Sequence, residues 1–353
     1  MKIALLSAYS GPVHRGIESW VHEISQRLEA FKHDVTVYQL GEKSQDTKYN
    51  VHQVNMQVNW DEPNTWNTKE REYLVDYWSR MLAEFTLQAT PHIINEKPDM
   101  IIPLNGGWET KICKEIATLL HAKLVLIGHW LDIHDLESDP DLYISLTKEA
   151  AKEAKKYYSK RITVIPDGVD IDTFKPHGEI FNHGLLHPVV LCASAFVSWK
   201  HIDKTIAAVS KLKDVSFLLV GDGDLKGELK ERCESLLRGR YRIVNAEYKD
   251  MPSIYRSADI FTLFSGKEEA FGMVYLEAMA SGLPIVTVKD AIRIDVVGNA
   301  GILVENNDTK VYSSALLTAL QRRWGDLPRK QAEKFSWEEI TKRYEEALQS
   351  ILV

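Results

Sequence analysis

Short apolar runs recur along the first half of the chain and alternate with longer segments of helical periodicity. The apolar runs predict buried strands at residues 3–6, 35–38, 100–102 and 124–127. The periodic segments predict helices near residues 17–31, 68–96 and 107–121. Strands that are apolar on both faces and separated by helices are typical of a parallel sheet with helices on both sides. The pattern therefore predicts a doubly wound α/β domain.

The pattern starts again after a turn-rich stretch between Pro166 and Pro188. New apolar runs predict strands at residues 189–191, 217–220, 260–263 and 285–288, again with helices between them. We therefore expect two Rossmann-like domains, at residues 1–165 and 189–334, joined by a linker over residues 166–188. Ligands of such sheets collect beyond the carboxyl ends of the strands, so a cleft between the domains is the expected binding region.

Composition narrows the class of protein. A chain of 353 residues with 44% hydrophobic and 26% charged residues is typical of a two-domain globular protein. The net charge of −7 argues against nucleic acid as a partner, because binding to phosphate backbones needs a basic face. The first apolar run is too short for a signal peptide, and Cys113, Cys192 and Cys233 lack metal-site spacing. We expect a cytoplasmic protein with reduced structural thiols.

The segment from Ser265 to Val286 carries the clearest chemistry. A predicted strand leads to Glu269-Ala270-Phe271-Gly272, and an apolar helix then runs from Met273 to a Gly-Leu-Pro stop. The free N–H groups at a helix N-terminus favour phosphate, and Glu277 on that helix can accept hydrogen bonds from hydroxyls. A sugar nucleotide has both groups. The alternative interpretation is that Glu269 and Glu277 are solvated carboxylates that stabilise the helix dipole.

This segment resembles the Glu-x7-Glu signature of the family-4 glycosyltransferases, and the resemblance extends over nearly the whole chain. It implies the GT-B fold, with a last helix over residues 335–353 that crosses back to the N-terminal domain. It also implies that Glu269 holds hydroxyls of the transferred sugar and that Glu277 holds the ribose. The turn and first helical residues would then bind the diphosphate: Phe271, Gly272, Met273 and Val274.

Lys200 follows the strand that begins at Val189 and opens a helical segment, where it can neutralise a diphosphate. The alternative is a surface lysine, although its charge is mildly unfavourable at a helix start. The family usually has Gly-Arg-Leu-x-x-x-Lys-Gly here, whereas this chain has Ala195 at the arginine position and Ser194 and His201 at the glycines. Two alternatives stay open: a cation from elsewhere compensates, with Arg15 as the candidate, or turnover is weakened.

Three further loops carry candidate donor-binding residues. Gly16 retains one glycine of the family's first loop, and Gly221 and Gly223 match its Val-Gly-x-Gly turn. Packing or an ordinary turn at a strand end would explain the same glycines. Tyr248 lies where the family recognises the nucleotide base.

His129 directly follows the strand at residues 124–127 and resembles the family's cleft histidine, with His134 as its rival. Its imidazole could hydrogen-bond the transferred sugar or orient the acceptor. The alternative is a packed or surface histidine without a role in the site.

Other motifs receive structural interpretations. Asp139-Pro140-Asp141 has the form of an Asp-x-Asp metal site, which we reject because Lys200 and a helix N-terminus already supply positive potential; metal independence is the prediction. Asp167 replaces an asparagine in an element that resembles the family's interdomain motif.

Aromatic residues are concentrated between residues 60 and 85. We expect Tyr73, Tyr77, Trp78 and Phe85 to be mostly core residues, whereas Trp60 or Trp66 is the candidate for stacking on an acceptor, with packing favoured. A basic run over residues 148–161 is typical of a solvated helix face. Peripheral contact with anionic lipid is the less favoured interpretation.

The resemblance implies a retaining glycosyltransferase that moves a sugar from a nucleotide-diphosphate donor to a hydroxyl of a sugar, lipid-linked or small-molecule acceptor. No separate cofactor is expected, since the nucleotide sugar is a substrate, and a UDP-sugar is favoured over GDP- and ADP-sugars. Two alternatives stay open: a degenerate nucleotide-sugar-binding protein, favoured by Ala195, and a GT-B-type epimerase or phosphorylase. The donor sugar, the acceptor and the oligomeric state stay open as well.

Overall fold

The chain forms two compact units, each built on one parallel sheet. The computed structural model describes residues 1–11, 16–43, 47–63, 68–129, 133–265, 271–305 and 308–352. The first unit comprises Met1–Pro166 and Glu338–Val353, and the second comprises Asp167–Trp337. All the strand pairs in both sheets are parallel, so the predicted α/β class is confirmed. Of the expected linker, all residues after Pro166 lie in the second unit.

The first unit contains a seven-stranded sheet in the order β3-β2-β1-β4-β5-β6-β7. Its strands are β1 (Lys2–Leu6), β2 (Asp34–Gln39), β3 (Asn50–Gln53), β4 (Met100–Pro103), β5 (Lys123–Gly128), β6 (Leu142–Ser145) and β7 (Ile162–Val164). Its helices are α1 (Gly16–Ala30), α2 (Lys69–Glu72), α3 (Tyr77–Glu96), α4 (Trp108–Leu120), α5 (Ile133–Leu136) and α6 (Lys148–Ala154). The central strands β1, β4 and β5 are almost wholly buried, as expected for a parallel sheet covered on both faces.

The single helix predicted near residues 68–96 is wrong, because two helices occupy this region. Tyr73 ends α2, and Leu74 then adopts a left-handed conformation with φ of +55°. A new helix begins after Asp76, whose carboxylate accepts hydrogen bonds from the backbone N–H groups of Trp78 and Ser79. The break also corrects the predicted core: Tyr73 is exposed, whereas Phe85 is fully buried.

The second unit contains a six-stranded sheet in the order β10-β9-β8-β11-β12-β13. Its strands are β8 (Val189–Ala193), β9 (Ser216–Val220), β10 (Tyr241–Val244), β11 (Ile260–Leu263), β12 (Ile285–Val288) and β13 (Gly301–Val304). Its helices are α7 (Ile202–Val209), α8 (Lys226–Leu237), α9 (Met251–Arg256), α10 (Met273–Ala280), α11 (Ala291–Val297), α12 (Thr309–Gln321) and α13 (Leu327–Glu333). This strand order is the Rossmann order: successive strands are added on one side from β8 to β10 and on the other side from β11 to β13, so the order reverses between β8 and β11.

The last helix, α14 (Trp337–Gln349), packs on the first unit from Glu338 onward. The indole of Trp20 on α1 donates a hydrogen bond of 3.2 Å to the Tyr344 hydroxyl, and the two rings meet edge to face. His33 Nε2 lies 2.9 Å from Oε1 of Glu345. These contacts join α14 to α1 and to the turn between α1 and β2. Among the described residues, no helix combines the length and apolarity that a membrane crossing would need.

Candidate donor site in the second unit

The switch point of the second sheet gathers most of the predicted donor-binding residues. Because the strands are parallel, the loops that follow β8, β9 and β11 leave from the same edge of the sheet. The loop after β8 carries Lys200, the loop after β9 carries Gly221 and Gly223, and α10 follows β11. Ligands of doubly wound sheets bind at this edge, next to the point where the strand order reverses.

The N-terminus of α10 has the form of an anion site. Gly272 precedes the helix with φ of +87°, a left-handed conformation that glycine adopts without strain, and it provides no side-chain cap. The backbone N–H groups of Met273 and Val274 lack intrahelical acceptors by helix geometry, whereas that of Tyr275 donates to the Gly272 carbonyl at 3.0 Å. Met273 and Val274 in that turn are half-buried. The side chain of Phe271 is buried and packs edge to face on Phe335, so the ring anchors the turn and only its backbone is suited to a ligand.

Glu277 lies one turn further along α10, with a side chain that is only 6% exposed. The Tyr255 hydroxyl donates a hydrogen bond of 2.8 Å to its Oε2. Burial raises the pKa of the Glu277 carboxyl, and hydrogen bonds from Tyr255 and Tyr248 counteract that rise. The alternative interpretation of Glu277 as a solvated carboxylate is therefore wrong, because a buried acid held by two phenols is built into the fold.

Aromatic rings surround this carboxylate. Phe174 lies 5.7 Å from the ring centroid of Tyr248 and 5.8 Å from that of Tyr255, with both pairs edge to face. Tyr248 is more than half exposed, so its ring offers a face to solvent beside Glu277. The structure thus brings two predicted donor-binding residues together, Tyr248 and Glu277. Sequence reasoning missed Tyr255, whose position in the apolar helix α9 gave no signal of a polar contact.

Lys200 ends a short 3-10 turn that follows β8. Its ammonium lies 4.1 Å from the ring centroid of Trp199, a cation–π contact that steadies the side chain. Burial raises the pKa of the Cys192 thiol on β8 to about 12, and the Lys200 charge acts against that rise. The lysine is therefore close to the end of the central strand, where a diphosphate at the switch point would need a cation.

The glycine pair after β9 is explained by packing within the unit. A Cβ atom on Gly221 would lie 2.0 Å from the carbonyl oxygen of Ser194, and one on Gly223 would lie 2.8 Å from that of Phe196. The Phe196 N–H donates to the carbonyl of Asp222, so the loops after β8 and β9 lie against each other. These glycines shape the floor of the candidate site through that close approach.

The position that corresponds to the family's arginine is open to solvent. Ala195 is exposed, and its neighbour Ser194 donates a hydrogen bond to the Ala195 carbonyl. His201, at the second glycine position, has φ of +47° and so keeps the left-handed conformation that a glycine would favour. The left-handed backbone is thus kept at His201, and Lys200 is the charged side chain of the pattern that this chain retains.

His129 lies in the first unit at the carboxyl end of β5. Its ring meets the indole of Trp20 edge to face, with the centroids 5.3 Å apart. Burial lowers the pKa of His129 to about 4, so the imidazole is neutral at pH 7. Nε2 is buried and has no hydrogen-bond partner within the described part of the chain. His134, by contrast, is mostly exposed and lies 3.6 Å from Glu137. Gly16 begins α1.

Several predicted residues lie outside the described residues: Glu269, Arg15 and Trp66. Trp60 is 45% exposed and packs against Tyr9 and Trp78, so it forms the rim of the aromatic cluster.

The acids of the Asp-Pro-Asp motif have structural partners. Asp139 pairs with Lys160 at 2.5 Å, and Asp141 accepts a hydrogen bond from the backbone of Leu124. In the ranges that the structure describes, no group of three or more histidine, cysteine or acidic side chains could hold a metal ion.

The fold is that of the two-domain GT-B class. Sucrose-phosphate synthase from Thermosynechococcus elongatus superposes with a TM-score of 0.77 at 17% identity, covering 99% of this chain and 98% of that one. HepE from Anabaena, solved in complex with UDP and glucose, superposes with a TM-score of 0.74 at 18% identity, covering 99% of this chain and all of that one.

Sequence comparisons lead to the same class. Residues 187–322 match the family described as "Glycosyl transferases group 1". Sulfoquinovosyl transferase SQD2 from Arabidopsis thaliana is 24% identical over 77% of this chain and 61% of its own length. A GDP-mannose-dependent monoacylated alpha-(1-6)-phosphatidylinositol monomannoside mannosyltransferase from Corynebacterium glutamicum is 26% identical over 64% of this chain and 66% of its own length.

The chain thus spans less than two thirds of the length of these curated relatives. The resemblance to the glycosyltransferases is confirmed, and the family match lies wholly within the second unit, where the candidate donor site is found.

Proposed function

We propose that this protein is a retaining glycosyltransferase of family 4 that uses a nucleotide-diphosphate sugar. The observation that carries the proposal is the buried Glu277 on α10, held by Tyr255 beside a helix N-terminus that begins at a left-handed glycine. A carboxylate that accepts from hydroxyls and a set of free amide donors, one helical turn apart, suit a ribose and its diphosphate. This pair lies in the region that matches the group 1 glycosyltransferases.

The reaction on this proposal is a front-side displacement. The acceptor hydroxyl oxygen forms a bond to the anomeric carbon on the face from which the bond to the diphosphate oxygen breaks, and the departing phosphate oxygen takes the acceptor proton. Configuration is then retained without a covalent enzyme intermediate. The N–H groups of the α10 first turn and the Lys200 ammonium stabilise the departing diphosphate; single donors of this kind contribute roughly 10²- to 10³-fold in rate.

The remaining roles follow the resemblance. Glu269 would orient the transferred sugar, and Tyr248 would lie against the base. Burial lowers the pKa of His129 to about 4, so its imidazole is a weak base, which suits a hydrogen bond to a sugar hydroxyl rather than proton abstraction. We propose a UDP-sugar as donor and a sugar or lipid-linked hydroxyl as acceptor. The transfer is proposed to be metal-independent, because the switch point already has a cation and a helix N-terminus.

Binding is the first test. Melting temperatures would be measured with UDP, GDP and ADP and with their sugars, without added metal, for the wild type, Glu277→Gln and a control. Glu228→Gln is the matched control, since Glu228 is an exposed glutamate on α8 of the same unit. One nucleotide class should raise the melting temperature of the wild type and the control. Glu277→Gln should weaken that binding by about 1.5 to 3 kcal/mol, as expected for hydrogen bonds to a charged group.

Turnover is the second test. Nucleoside diphosphate should be released from the bound donor only when an acceptor hydroxyl is present, and at the same rate after treatment with a chelator. Binding without turnover across many acceptors would favour a nucleotide-sugar-binding protein. Equal nucleotide affinity in Glu277→Gln and wild type would contradict the placement of the ribose.

A further inference from the structure

A separate pocket of the second unit lies at the edge of the sheet opposite the candidate donor site. Its volume is about 750 Å³, within the range of small-molecule sites. Ala258 and Asp259 line it directly before β11, and Leu283 lines it shortly before β12. The pocket therefore borders the amino ends of these strands and the carboxyl end of α10, whereas the donor site borders the carboxyl ends of the strands.

Arg256, at the end of α9, is one of two arginines that line this pocket in a fixed position. Its Nε donates a hydrogen bond of 2.7 Å to the Glu179 carbonyl, and its Nη1 donates one of 3.3 Å to the Lys175 carbonyl. The guanidinium lies against Gly178, where a Cβ atom would be 3.2 Å from Cζ. Nη2 makes no hydrogen bond to the residues that the structure describes, so the guanidinium retains donors for water or a ligand.

Arg329 on α13 is held in the same way. Its Nη1 donates to three carbonyls, those of Ile171 at 2.9 Å, Phe174 at 2.8 Å and Ala280 at 3.0 Å. Its Nε donates to Glu333 at 3.0 Å, and Nη2 has no partner within the described ranges of the chain. Both arginines thus hold backbone carbonyls in place, and each keeps unused donors beyond that structural role.

A lysine and a serine add further polar groups to the lining. Lys175 is exposed, and its ammonium forms no ion pair with the described residues. Ser281 follows the last turn of α10 and is only 5% exposed. Its buried Oγ has no hydrogen-bond partner in the part of the chain that the structure describes. A buried hydroxyl without a partner is costly, so a water molecule or a ligand is expected to meet it.

The acids that line the pocket offset little of this positive charge. Asp259 lies 2.7 Å from the His187 ring, and Asp326 lies 2.7 Å from the Lys330 ammonium. The third acid, Asp172, is exposed. The carboxyl end of a helix does not itself attract an anion, so the arginines and the lysine must define the ligand.

We propose that this pocket binds a phosphorylated sugar, with the phosphate on Arg256 and Lys175. The two residues are joined by the hydrogen bond to the Lys175 carbonyl, and neither has an acidic partner among the described residues. Their two charges match the two charges of a phosphomonoester at pH 7.5. The volume exceeds what phosphate alone would fill, and Ser281 and Asp172 offer partners to sugar hydroxyls. The site is distinct from the donor site, and its occupancy does not depend on the proposed transfer.

Calorimetry with glucose 6-phosphate tests the pocket. The whole protein would be titrated at low salt and pH 7.5, with and without saturating UDP. One site should appear with a dissociation constant below about 1 mM, unchanged by UDP. Lys175→Gln should keep the melting temperature and weaken binding about 10-fold, as expected for loss of a charge-assisted hydrogen bond. Lys213→Gln is the matched control, because Lys213 is an exposed lysine of the same unit outside the pocket lining, and it should bind as the wild type does.

Two further ligands test the chemical class. Glucose lacks the phosphate and should not bind, and glucuronate has a single charge and should bind less tightly than glucose 6-phosphate. Tighter binding of glucuronate, no binding of glucose 6-phosphate by the wild type, or equal affinities of Lys175→Gln and Lys213→Gln would each overturn the proposal. Displacement of glucose 6-phosphate by UDP would place the phosphate in the donor site and would overturn it as well. A wild type that binds glucose 6-phosphate but no nucleotide would support this site and contradict the proposed function.

Discussion

The Tyr255 hydroxyl donates a hydrogen bond of 2.8 Å to Oε2 of Glu277, and both side chains are buried within the second unit. Tyr255→Phe should weaken nucleotide binding about 10-fold at pH 7, since a hydrogen bond to a charged group is worth about 1.5 to 3 kcal/mol. Burial raises the pKa of Glu277, and the hydrogen bond from Tyr255 opposes that rise. The pKa of Glu277 should therefore be higher still in the Tyr255→Phe variant. The loss of affinity should therefore be larger at pH 6 than at pH 8, measured by calorimetry with UDP.

A matched pair elsewhere in the unit controls for this prediction. Tyr241 donates a hydrogen bond of 2.7 Å to Glu234 near the surface. Tyr241→Phe should leave the UDP affinity and its pH dependence as in the wild type. A Tyr255→Phe variant with the same affinity at both pH values would show that the phenol neither orients the carboxylate nor supports its charge.

Asp167 gives a prediction about stability and pH. Its side chain is 6% exposed, and Oδ1 has no hydrogen-bond partner among the residues that the structure describes. Burial raises its pKa from 3.8 to about 7. Between these two values the folded state binds more protons than the unfolded state, so this group lowers stability as pH rises from about 4 to about 7.

Asp167→Asn removes that charge. Because burial raises the pKa of Asp167, and with it the proton affinity by roughly a thousandfold, the variant should gain on the order of 2–4 kcal/mol above pH 8 and little at pH 4. Urea unfolding at both pH values measures the difference. Asp172→Asn, at an exposed position, should show no such trend. A gain for Asp167→Asn that is independent of pH would contradict the cause assigned here.

Most of the inner strands could be predicted, because their apolar residues are consecutive in the chain. Strands with apolar residues on both faces, such as β1 and β9, were found because their burial follows from the run itself. The edge strands β3, β7, β10 and β13 were not predicted, because they are mostly half-buried or exposed. The inner strand β6 was missed as well, although it is buried, since Tyr143 and Ser145 interrupt its apolar run. The break between α2 and α3 was missed for a similar reason, since the left-handed Leu74 has no glycine or proline to mark it.

The candidate site was predicted as far as its residues follow a family pattern. Lys200, Gly272 and Glu277 could be placed because each lies at a fixed distance from a predicted strand end. Tyr255 could not, since it reaches Glu277 across 22 residues of the chain. Such contacts depend on how helices pack on the sheet, which a single sequence does not encode as a motif.

Ala195 stands where the family has an arginine, and its exposed position leaves room for a longer side chain. Ala195→Arg should increase UDP affinity roughly 10-fold at low salt, because a charge-assisted hydrogen bond to phosphate is worth about 1.5 to 3 kcal/mol. The gain should shrink at high ionic strength, since the site is open to solvent. Ala195→Gln is the control of similar length without the charge. Equal affinity of the arginine and glutamine variants at low salt would argue against a diphosphate beside this position.

His201 precedes α7 with φ of +47°, and its carbonyl accepts hydrogen bonds from the backbone N–H groups of Lys204 and Thr205. A side chain in this left-handed conformation is strained by about 1 kcal/mol, whereas glycine is not. His201→Gly should therefore stabilise the protein by about 0.5 to 1 kcal/mol, measured by urea unfolding.

The opposite end of the same helix provides the control. Ser210 has φ of −61°, an ordinary helical conformation, and its hydroxyl bonds the Ala207 carbonyl. Ser210→Gly should destabilise by about 0.5 to 1 kcal/mol, since glycine gains no relief there and adds freedom to the unfolded chain. If both glycine variants lost stability, the contacts of the His201 ring would stabilise the fold by more than its left-handed backbone destabilises it. The left-handed turn would then not explain why the family favours glycine here.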